Sequence, residues 1–305
     1  MGRGNDEKQK RTYLVKENIM SFIYTLREGD NGQEVRRLQT NLNIDADSDF
    51  GPKTKKAVIE YQTANGLVVD GLAGPKTLKS LGIEVLAGID VSSHNGTVDW
   101  SKAAQAGIKF AWVKATEGQT HINRNWVERY NGAVENNVIV GAYHFARPDL
   151  NKYDSPEADA VAEFKHFRKT LDQVGGLKCG NLVPAIDLEA GMKTDDQYNA
   201  DWYLKWLELT EKEWGVKGIV YTARWAWNLY VRNAKKEDRK KFTEYPVWWA
   251  KYIRKEPLIG PGEQLRNWEE WDVWQHTGWG ACPGIKGNVD LNWMAGAQLE
   301  NLIIS

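Results

Sequence analysis

The fold of this chain is most constrained by a regular alternation, beginning near residue 85, of short apolar runs with amphipathic stretches. The apolar runs have the length of strands, and they lie at 85–92, 109–116, 138–146, 182–189 and 218–223. Strands that alternate with helices form a parallel sheet with both faces covered. In a chain of 305 residues, the expected closure of such a sheet is a barrel surrounded by helices.

The rhythm changes after Tyr221, where a helix is predicted around residues 225–242. Three further strands follow without space for helices between them, and they read PVWWAKY, WDVWQHT and GNVDLNW. The sequence therefore predicts five β/α units followed by three strands, of which the last is antiparallel. We expect an α/β protein whose barrel is a modified, TIM-like one.

The first part of the chain differs in composition, because all fifteen tryptophans lie at or after Trp100. Residues 26–82 predict three short helices. The first lies in NGQEVRRLQTNL, with Asp30 or Asn31 as its N-cap. The other two each begin at Gly-Pro-Lys-Thr, where proline suits the first helical position. We expect a small three-helix domain in front of the barrel.

This segment closely resembles the peptidoglycan-binding module of bacterial and phage cell-wall enzymes. The resemblance rests on REGDNGQEVRRLQTNL and DFGPKTKKAVIEYQTANGLVVDGLAGPKTLKSL, and it departs in a compressed loop, NIDADSD. It implies bacterial peptidoglycan as a partner, bound by exposed polar residues between the helices. We predict a flexible tail at 1–22, the binding module at 23–83 and a catalytic domain at 84–305.

Composition argues against several classes of function. The chain has 40 Lys and Arg against 41 Asp and Glu, so its charge does not indicate a nucleic-acid or membrane partner. Five scattered histidines and two cysteines, Cys179 and Cys282, lack metal-ligand spacing, and we expect free thiols, no metal and no cofactor. No apolar run approaches the roughly 20 residues of a membrane span. The first residues do not read as a secretory signal peptide.

Polar residues stand where the predicted strands end, which is the end at which barrel enzymes place their active sites. These residues are Asp90, Lys114, Tyr143, Asp187, Glu189 and Asp290. Asp187 and Glu189 lie two apart on one strand, so they point to the same face with Cα atoms about 6.6 Å apart. A single carboxylate here could cap a helix or pair with an arginine, but four around one mouth indicate catalysis.

Paired carboxylates among many tryptophans indicate glycoside chemistry. One carboxylic acid protonates the leaving oxygen, while a nearby negative charge stabilises an oxocarbenium-like centre. Indole rings suit the apolar C–H faces of sugars, although we expect most of the tryptophans in the core. In PVWWAKY, Trp248 and Tyr252 share one strand face and Trp249 lies on the other, so only one of these two tryptophans can line the pocket.

These residues resemble glycoside hydrolase family 25, the Chalaropsis-type lysozymes. The resemblance covers about 86–300, and its motifs, in the family's order and spacing, are GIDVSSHNGTVDW, KFAWVKATEG, GAYHFARP, PAIDLE, PVWWAKY, WQHT and GNVDLNW. It implies a (β/α)5(β)3 barrel. It also implies N-acetylmuramidase activity, which cleaves the β-1,4 bond between N-acetylmuramic acid and N-acetylglucosamine.

The resemblance also implies roles for individual residues. The acid is Glu189, and the carboxylate set is completed by Asp90, Asp187 and Asp290. The residues implied for the sugar site are Tyr143, Trp248, Gln275 and Lys114. Two mechanisms stay open. In the one we favour, Asp187 orients the substrate's acetamido group for attack on the anomeric carbon, and in the other Asp90 or Asp290 activates water with inversion.

A wall-binding module joined to a muramidase, without a recognisable signal peptide, resembles a bacteriophage endolysin. We therefore expect the protein in the host cytoplasm until lysis and then at the bacterial cell wall, with release dependent on a holin. A bacterial autolysin is less expected because it normally needs an export signal. A non-catalytic wall-binding barrel is less expected because it has no use for four carboxylates.

Overall fold

The computed structural model describes residues 25–148, 153–252 and 266–305. The tail predicted at 1–22 lies outside these ranges. Within them, the chain forms a helical N-terminal region followed by a mixed α/β barrel, which confirms the predicted fold class.

The N-terminal region contains three helices, α1 Gln33–Asn41, α2 Pro52–Ala64 and α3 Pro75–Ser80. Proline begins α2 and α3, as predicted, because its missing N–H needs no partner there. The predicted N-cap of α1 is wrong. This helix follows Gly32, which offers no side-chain cap, and the carboxylate of Asp30 instead accepts the backbone N–H of Arg27 at 2.8 Å.

Two buried glutamines stabilise the turns of this region through the same pattern of hydrogen bonds. The side-chain amide of Gln39 donates to residues 8, 10 and 15 positions later, and so does that of Gln62. The last partner is in both cases the threonine of Gly-Pro-Lys-Thr, Thr54 or Thr77. The sequence repeat is therefore a structural repeat, in which each glutamine satisfies the buried polar groups of one turn.

The strands of the barrel follow in chain order, and they are β1 Val85–Val91, β2 Ile108–Glu117, β3 His121–Ile122, β4 Ile139–Phe145, β5 Ala185–Leu188, β6 Ile219–Ala223, β7 Val247–Ala250, β8 Val273–Gly280 and β9 Val289–Ala295. Strands β1, β2, β4, β5, β6, β7 and β8 pair in parallel in that order. Strand β9 closes the barrel because it pairs antiparallel with both β8 and β1. The short strand β3 pairs antiparallel with the end of β2 and takes no part in the closure. Five β/α units and three terminal strands are thus present, as predicted.

The helices between these strands are α4 Trp100–Gln105, α5 Trp126–Glu135, α6 Pro156–Leu171, α7 Asp196–Trp214, α8 Arg224–Tyr230 and α9 Lys236–Lys241. The single helix predicted around 225–242 is wrong, because the chain breaks between α8 and α9. Two side chains at the start of α7 stabilise the segment between α8 and α9. Asp196 accepts the backbone N–H of Asn233 at 2.6 Å, and Gln197 accepts that of Lys235 at 2.8 Å.

Aromatic side chains fill the interior of the barrel. Trp112 and Trp248 stack with their ring centroids 4.7 Å apart, and Phe110 meets Trp112 edge to face at 5.7 Å. Glycines on neighbouring strands leave space for these rings. A Cβ at Gly88 would lie 2.3 Å from the ring of Phe110, and one at Gly141 would lie 2.8 Å from the indole nitrogen of Trp112. The rings form a solid floor beneath the strand ends.

The helical region contacts the barrel at the start of β8, which is the end opposite the C-termini of the parallel strands. The side chain of Gln33 exchanges two hydrogen bonds, of 3.0 and 2.9 Å, with the backbone of Trp271. The guanidinium of Arg37 lies 5.3 Å from the centre of the Trp271 ring. Arg36 and Arg37 also approach Glu270 at 3.8 and 3.9 Å. The N-terminal region is therefore seated at the base of the barrel.

Candidate active site

The C-terminal ends of the parallel strands surround a cavity of about 260 Å³. All eight residues predicted from the sequence line it, namely Asp90, Lys114, Tyr143, Asp187, Glu189, Trp248, Gln275 and Asp290. They meet because every second residue of a barrel strand points inward. Trp248 lines the cavity, whereas Trp249 is fully buried and lies outside its lining, as the alternation predicts.

Two of the carboxylates face each other across the seam that closes the barrel. Asp90 on β1 is the direct register partner of Asp290 on β9. Facing residues in antiparallel strands have Cα atoms about 4.5–5.5 Å apart. The carboxylate of Asp90 is anchored, because its Oδ2 accepts hydrogen bonds of 2.8 Å from the amides of both Gln275 and Asn292.

Three residues that the sequence interpretation did not assign to the site complete this network. Asn292 is fully buried and accepts the indole N–H of Trp248 at 2.8 Å. Tyr221 and Tyr252 donate their hydroxyls to Oε1 of Gln275 at 2.8 and 2.9 Å. Their positions in the sequence could have revealed two of them. Asn292 lies two residues after the catalytic candidate Asp290, and Tyr221 lies near the end of a predicted strand.

The second pair of carboxylates comes from β5. Asp187 is the last residue of this strand that points into the barrel, and Glu189 follows directly after the strand. Within the described ranges, Oδ1 of Asp187 is buried and has no hydrogen-bond partner. Lys114 lies near this pair, and its ammonium group forms an ion pair with Glu117 at 2.7 Å. The carboxylate of Asp187 therefore keeps an acceptor oxygen that the protein itself does not use.

Burial raises the pKa values of all four carboxyls, and repulsion from a neighbouring carboxylate adds to the shift in three of them. Burial, helped by the charge of Asp290, raises the pKa of Glu189 to about 7. Burial raises the pKa of Asp290 to about 6. The pKa of Asp90 is raised well above its usual range by burial and by Asp290, although its two amide donors oppose this. Burial and Glu189 raise the pKa of Asp187 in the same way, against the opposing charge of Lys114.

Three further properties of the described ranges bear on function. No group of three or more His, Cys, Asp or Glu side chains there could hold a metal ion. Cys179 is exposed and Cys282 is buried, and both are free thiols, as predicted. None of the helices in these ranges has the length and apolar character that crossing a membrane requires.

Two protein-family models each match one part of this chain. The model for glycosyl hydrolases family 25 matches residues 89–285. The model for a putative peptidoglycan binding domain matches residues 31–81. The two matches follow the division between the barrel and the helical region.

Individual relatives agree with the first match. An N,O-diacetylmuramidase from Chalaropsis sp is 42% identical over 228 residues, which cover 67% of this chain and 95% of that protein. Lysozyme M1 from Streptomyces globisporus is 27% identical over 254 residues, covering 80% of this chain and 81% of the relative. The crystal structure of a lysozyme from Streptomyces coelicolor superposes with a TM-score of 0.59 at 25% identity, covering 72% of this chain and 96% of that one.

The raised pKa of Glu189 predicts a pH-dependent gain in stability when this residue is neutralised. The pKa is about 7 in the folded protein and about 4.3 in an unfolded chain. The contribution of Glu189 to the free energy of unfolding is therefore greatest below about pH 4 and is lost as the pH rises to about 7. The Glu189→Gln variant does not titrate, so its Tm should exceed that of the wild type more at about pH 8 than at about pH 4.

Calorimetry across this pH range measures the difference, with the exposed Glu208→Gln as the control. A Tm difference for Glu189→Gln that stays constant with pH would contradict the raised pKa.

Proposed function

Because the chain belongs to glycosyl hydrolase family 25, we propose that it cleaves the β-1,4 bond between N-acetylmuramic acid and N-acetylglucosamine in bacterial peptidoglycan. The chain is a glycoside hydrolase of the lysozyme type. The observation that carries the finer assignment is the cavity lined by four carboxyls, one of which has a pKa of about 7. A carboxyl with this pKa is about half protonated at neutral pH, so it can supply the proton that a general acid must carry.

Glu189 is the proton donor in this proposal. It protonates the glycosidic oxygen as the bond to the anomeric carbon breaks, and its carboxylate then takes a proton from the water that completes hydrolysis. The charge of Asp290 beside it favours the protonated form before cleavage. Asp290 itself, with a pKa of about 6, is largely ionised near neutral pH and stabilises positive charge in the transition state.

Asp187 holds the substrate's acetamido group in this mechanism. The acetamido oxygen attacks the anomeric carbon, and the resulting ring carries a positive charge that a carboxylate stabilises. The unused Oδ1 of Asp187 supports this role, because it can accept the acetamido N–H. Asp90 is a poorer candidate for activating water, because its Oδ2 is already held by Gln275 and Asn292.

The remaining lining residues bind the sugar. Tyr143 and Trp248 present ring surface to the cavity, and Gln275 and Lys114 present polar groups. Trp248 is held in place by the hydrogen bond from its indole to Asn292. We assign these residues to substrate binding rather than to proton transfer.

The proposed acid is tested by the Glu189→Gln variant on purified peptidoglycan. Loss of a general acid typically lowers the rate by about 10²–10⁴-fold. Borohydride reduction and mass spectrometry of the products identify the new reducing end, which should be reduced muramic acid in wild-type digests.

The matched control is Asp272→Asn. Burial also raises the pKa of Asp272, to about 6, but this residue lies at the start of β8, outside the cavity lining. Its replacement should leave lysis unchanged. Reduced glucosamine, or more than about a tenth of the activity in Glu189→Gln, would show the assignment to be wrong.

Replacement of Asp187 distinguishes the two mechanisms. If Asp187 orients the acetamido group, Asp187→Asn should cost about 2.7–4 kcal/mol of transition-state stabilisation, or roughly 10²–10³ in rate. Thiazolines, which mimic the intermediate ring, should bind the wild type and lose affinity in the variant. The first product seen by NMR should be the β anomer, since two displacements restore the configuration. An α anomer would instead support direct attack by water.

We also propose that the chain acts as a bacteriophage endolysin anchored by residues 23–83, with the catalytic domain at 84–305. The peptidoglycan-binding match at 31–81 supports an anchor. The contact between Gln33 and Trp271 seats this region at the base of the barrel, away from the cavity. Such an anchor would hold one part of the wall while the cavity cuts another.

The anchor is tested by comparing the full chain with residues 84–305. The shortened chain should still cut soluble glycan chains but should sediment less with intact cell walls, and equal sedimentation would contradict the anchor. The endolysin role requires that bacteria producing the full chain in their cytoplasm lyse only when a holin is also produced. Lysis without a holin would contradict it.

A further inference from the structure

A second cavity, of about 390 Å³, lies beside the carboxylate cavity. Glu189 and Tyr252 line both cavities. The other lining residues come from the end of β6, the start of α8 and the end of β7 with the residue after it, and they are Ala223, Arg224, Trp225, Asn228, Ala250 and Lys251. The carboxyl of Glu189 therefore stands on the boundary between two adjoining spaces at the mouth of the barrel.

Trp225 is one of two exposed tryptophans in this chain. Twelve of the fifteen are buried and Trp214 is half-buried, whereas Trp225 and Trp279 have 53% and 55% of their surface exposed. Exposure of a large apolar side chain forgoes the stabilisation that its burial would provide. Trp225 lies in the wall of the second cavity, next to the proposed acid, so its ring is available to a ligand there.

The two cavities differ in charge. Asp90, Asp187 and Asp290 line the first cavity and not the second. Among the described residues, the charged side chains that line the second cavity besides Glu189 are Arg224 and Lys251. The first cavity suits the sugar whose anomeric carbon becomes positively charged. The second suits an apolar sugar face together with an anionic group.

A glycosidic acid stands between the sugar that is retained and the sugar that leaves, because it protonates the oxygen that joins them. On the proposed function, the retained N-acetylmuramic acid occupies the carboxylate cavity. We propose that the second cavity binds the leaving side of the glycan, with its N-acetylglucosamine ring against Trp225. Arg224 and Lys251 then face the anionic peptide stem of the next muramic acid.

The assignment of Trp225 is tested with two substrates that differ only on the leaving side. One is a peptidoglycan strand, and the other is the β-fluoride of the N-acetylglucosaminyl-N-acetylmuramic acid disaccharide, whose leaving group is too small to reach Trp225. Aromatic contacts are worth about 0.5–1.5 kcal/mol, and 1.4 kcal/mol is tenfold in rate. Trp225→Ala should therefore lower kcat/KM on strands by up to about tenfold and leave fluoride hydrolysis within about twofold.

The control is Leu229→Ala, which removes another exposed side chain of α8 that does not line the cavity. It should leave both activities unchanged. Equal losses on both substrates in Trp225→Ala, or no loss on strands, would overturn the assignment of this cavity alone. A wild-type enzyme that cuts neither substrate would instead contradict the proposed function, and the leaving-side site with it.

The charge of the cavity is tested with the double variant Arg224→Ala/Lys251→Ala. Its kcat/KM should fall several-fold more on strands that carry peptide stems than on strands from which an amidase has removed them. The charge-matched control is Arg232→Ala/Lys240→Ala, two exposed cations outside the cavity lining. Equal losses on both kinds of strand would overturn the part of the proposal that concerns the stem.

Discussion

The pairing of β1 with β9 is the interaction on which the rest of the site depends. It closes the barrel, and its register sets Asp90 directly opposite Asp290. When two neighbouring carboxyls are buried, the charge of one disfavours ionisation of the other. The amides of Gln275 and Asn292 stabilise the charge of Asp90, but burial and, after it, the charge of Asp290 still raise the pKa values of Asp90 and Glu189. Closure of the barrel therefore brings Asp290 into a buried group of carboxyls in which the pKa of Glu189 is raised to about 7.

The aromatic floor gives this cluster its low-dielectric setting. Trp112 and Trp248 stack within the barrel, and glycines at positions 88 and 141 leave space for the rings that fill it. Trp248 has two functions, because it fills the interior and also lines the cavity, where its indole fixes Asn292. Packing and chemistry therefore share side chains. This arrangement stores unfavourable electrostatic energy at the site, as expected where activity and stability compete.

The two ends of the barrel carry different tasks. The C-terminal ends of the strands hold the carboxyls, and the opposite end receives the helical region through Gln33 and Trp271. Buried carboxyls occur at both ends, since burial also raises the pKa of Asp272 at the base. A raised pKa alone does not mark the site. What distinguishes the mouth is the number of carboxyls that meet in one cavity.

The sequence by itself determined the features that depend on neighbouring residues. The alternation of strands and helices, the Gly-Pro-Lys-Thr helix starts and the inward alternation of Asp187 and Glu189 are all local, and each is present in the structure. The local signals failed for the cap of α1 and for the helix around 225–242. At the cap, Asp30 binds the backbone N–H of Arg27 instead of the start of the helix. In the predicted helix, contacts with distant residues override helical propensity, as between Asp196 and Asn233.

Only the tertiary structure decided how the polar residues meet. The register of β9 against β1 and the anchoring of Asp90 by Asn292 join positions about 200 residues apart. The exposure of Trp225 is also a tertiary property, because α8 and the end of β7 leave a cavity between them that this side chain lines. Register, burial and the resulting pKa values arise from non-local packing, and a one-residue slip would turn every inward side chain outward. For that reason eight residues that line the cavity could be predicted from the sequence, whereas their register, their burial and the network through Asn292 could not.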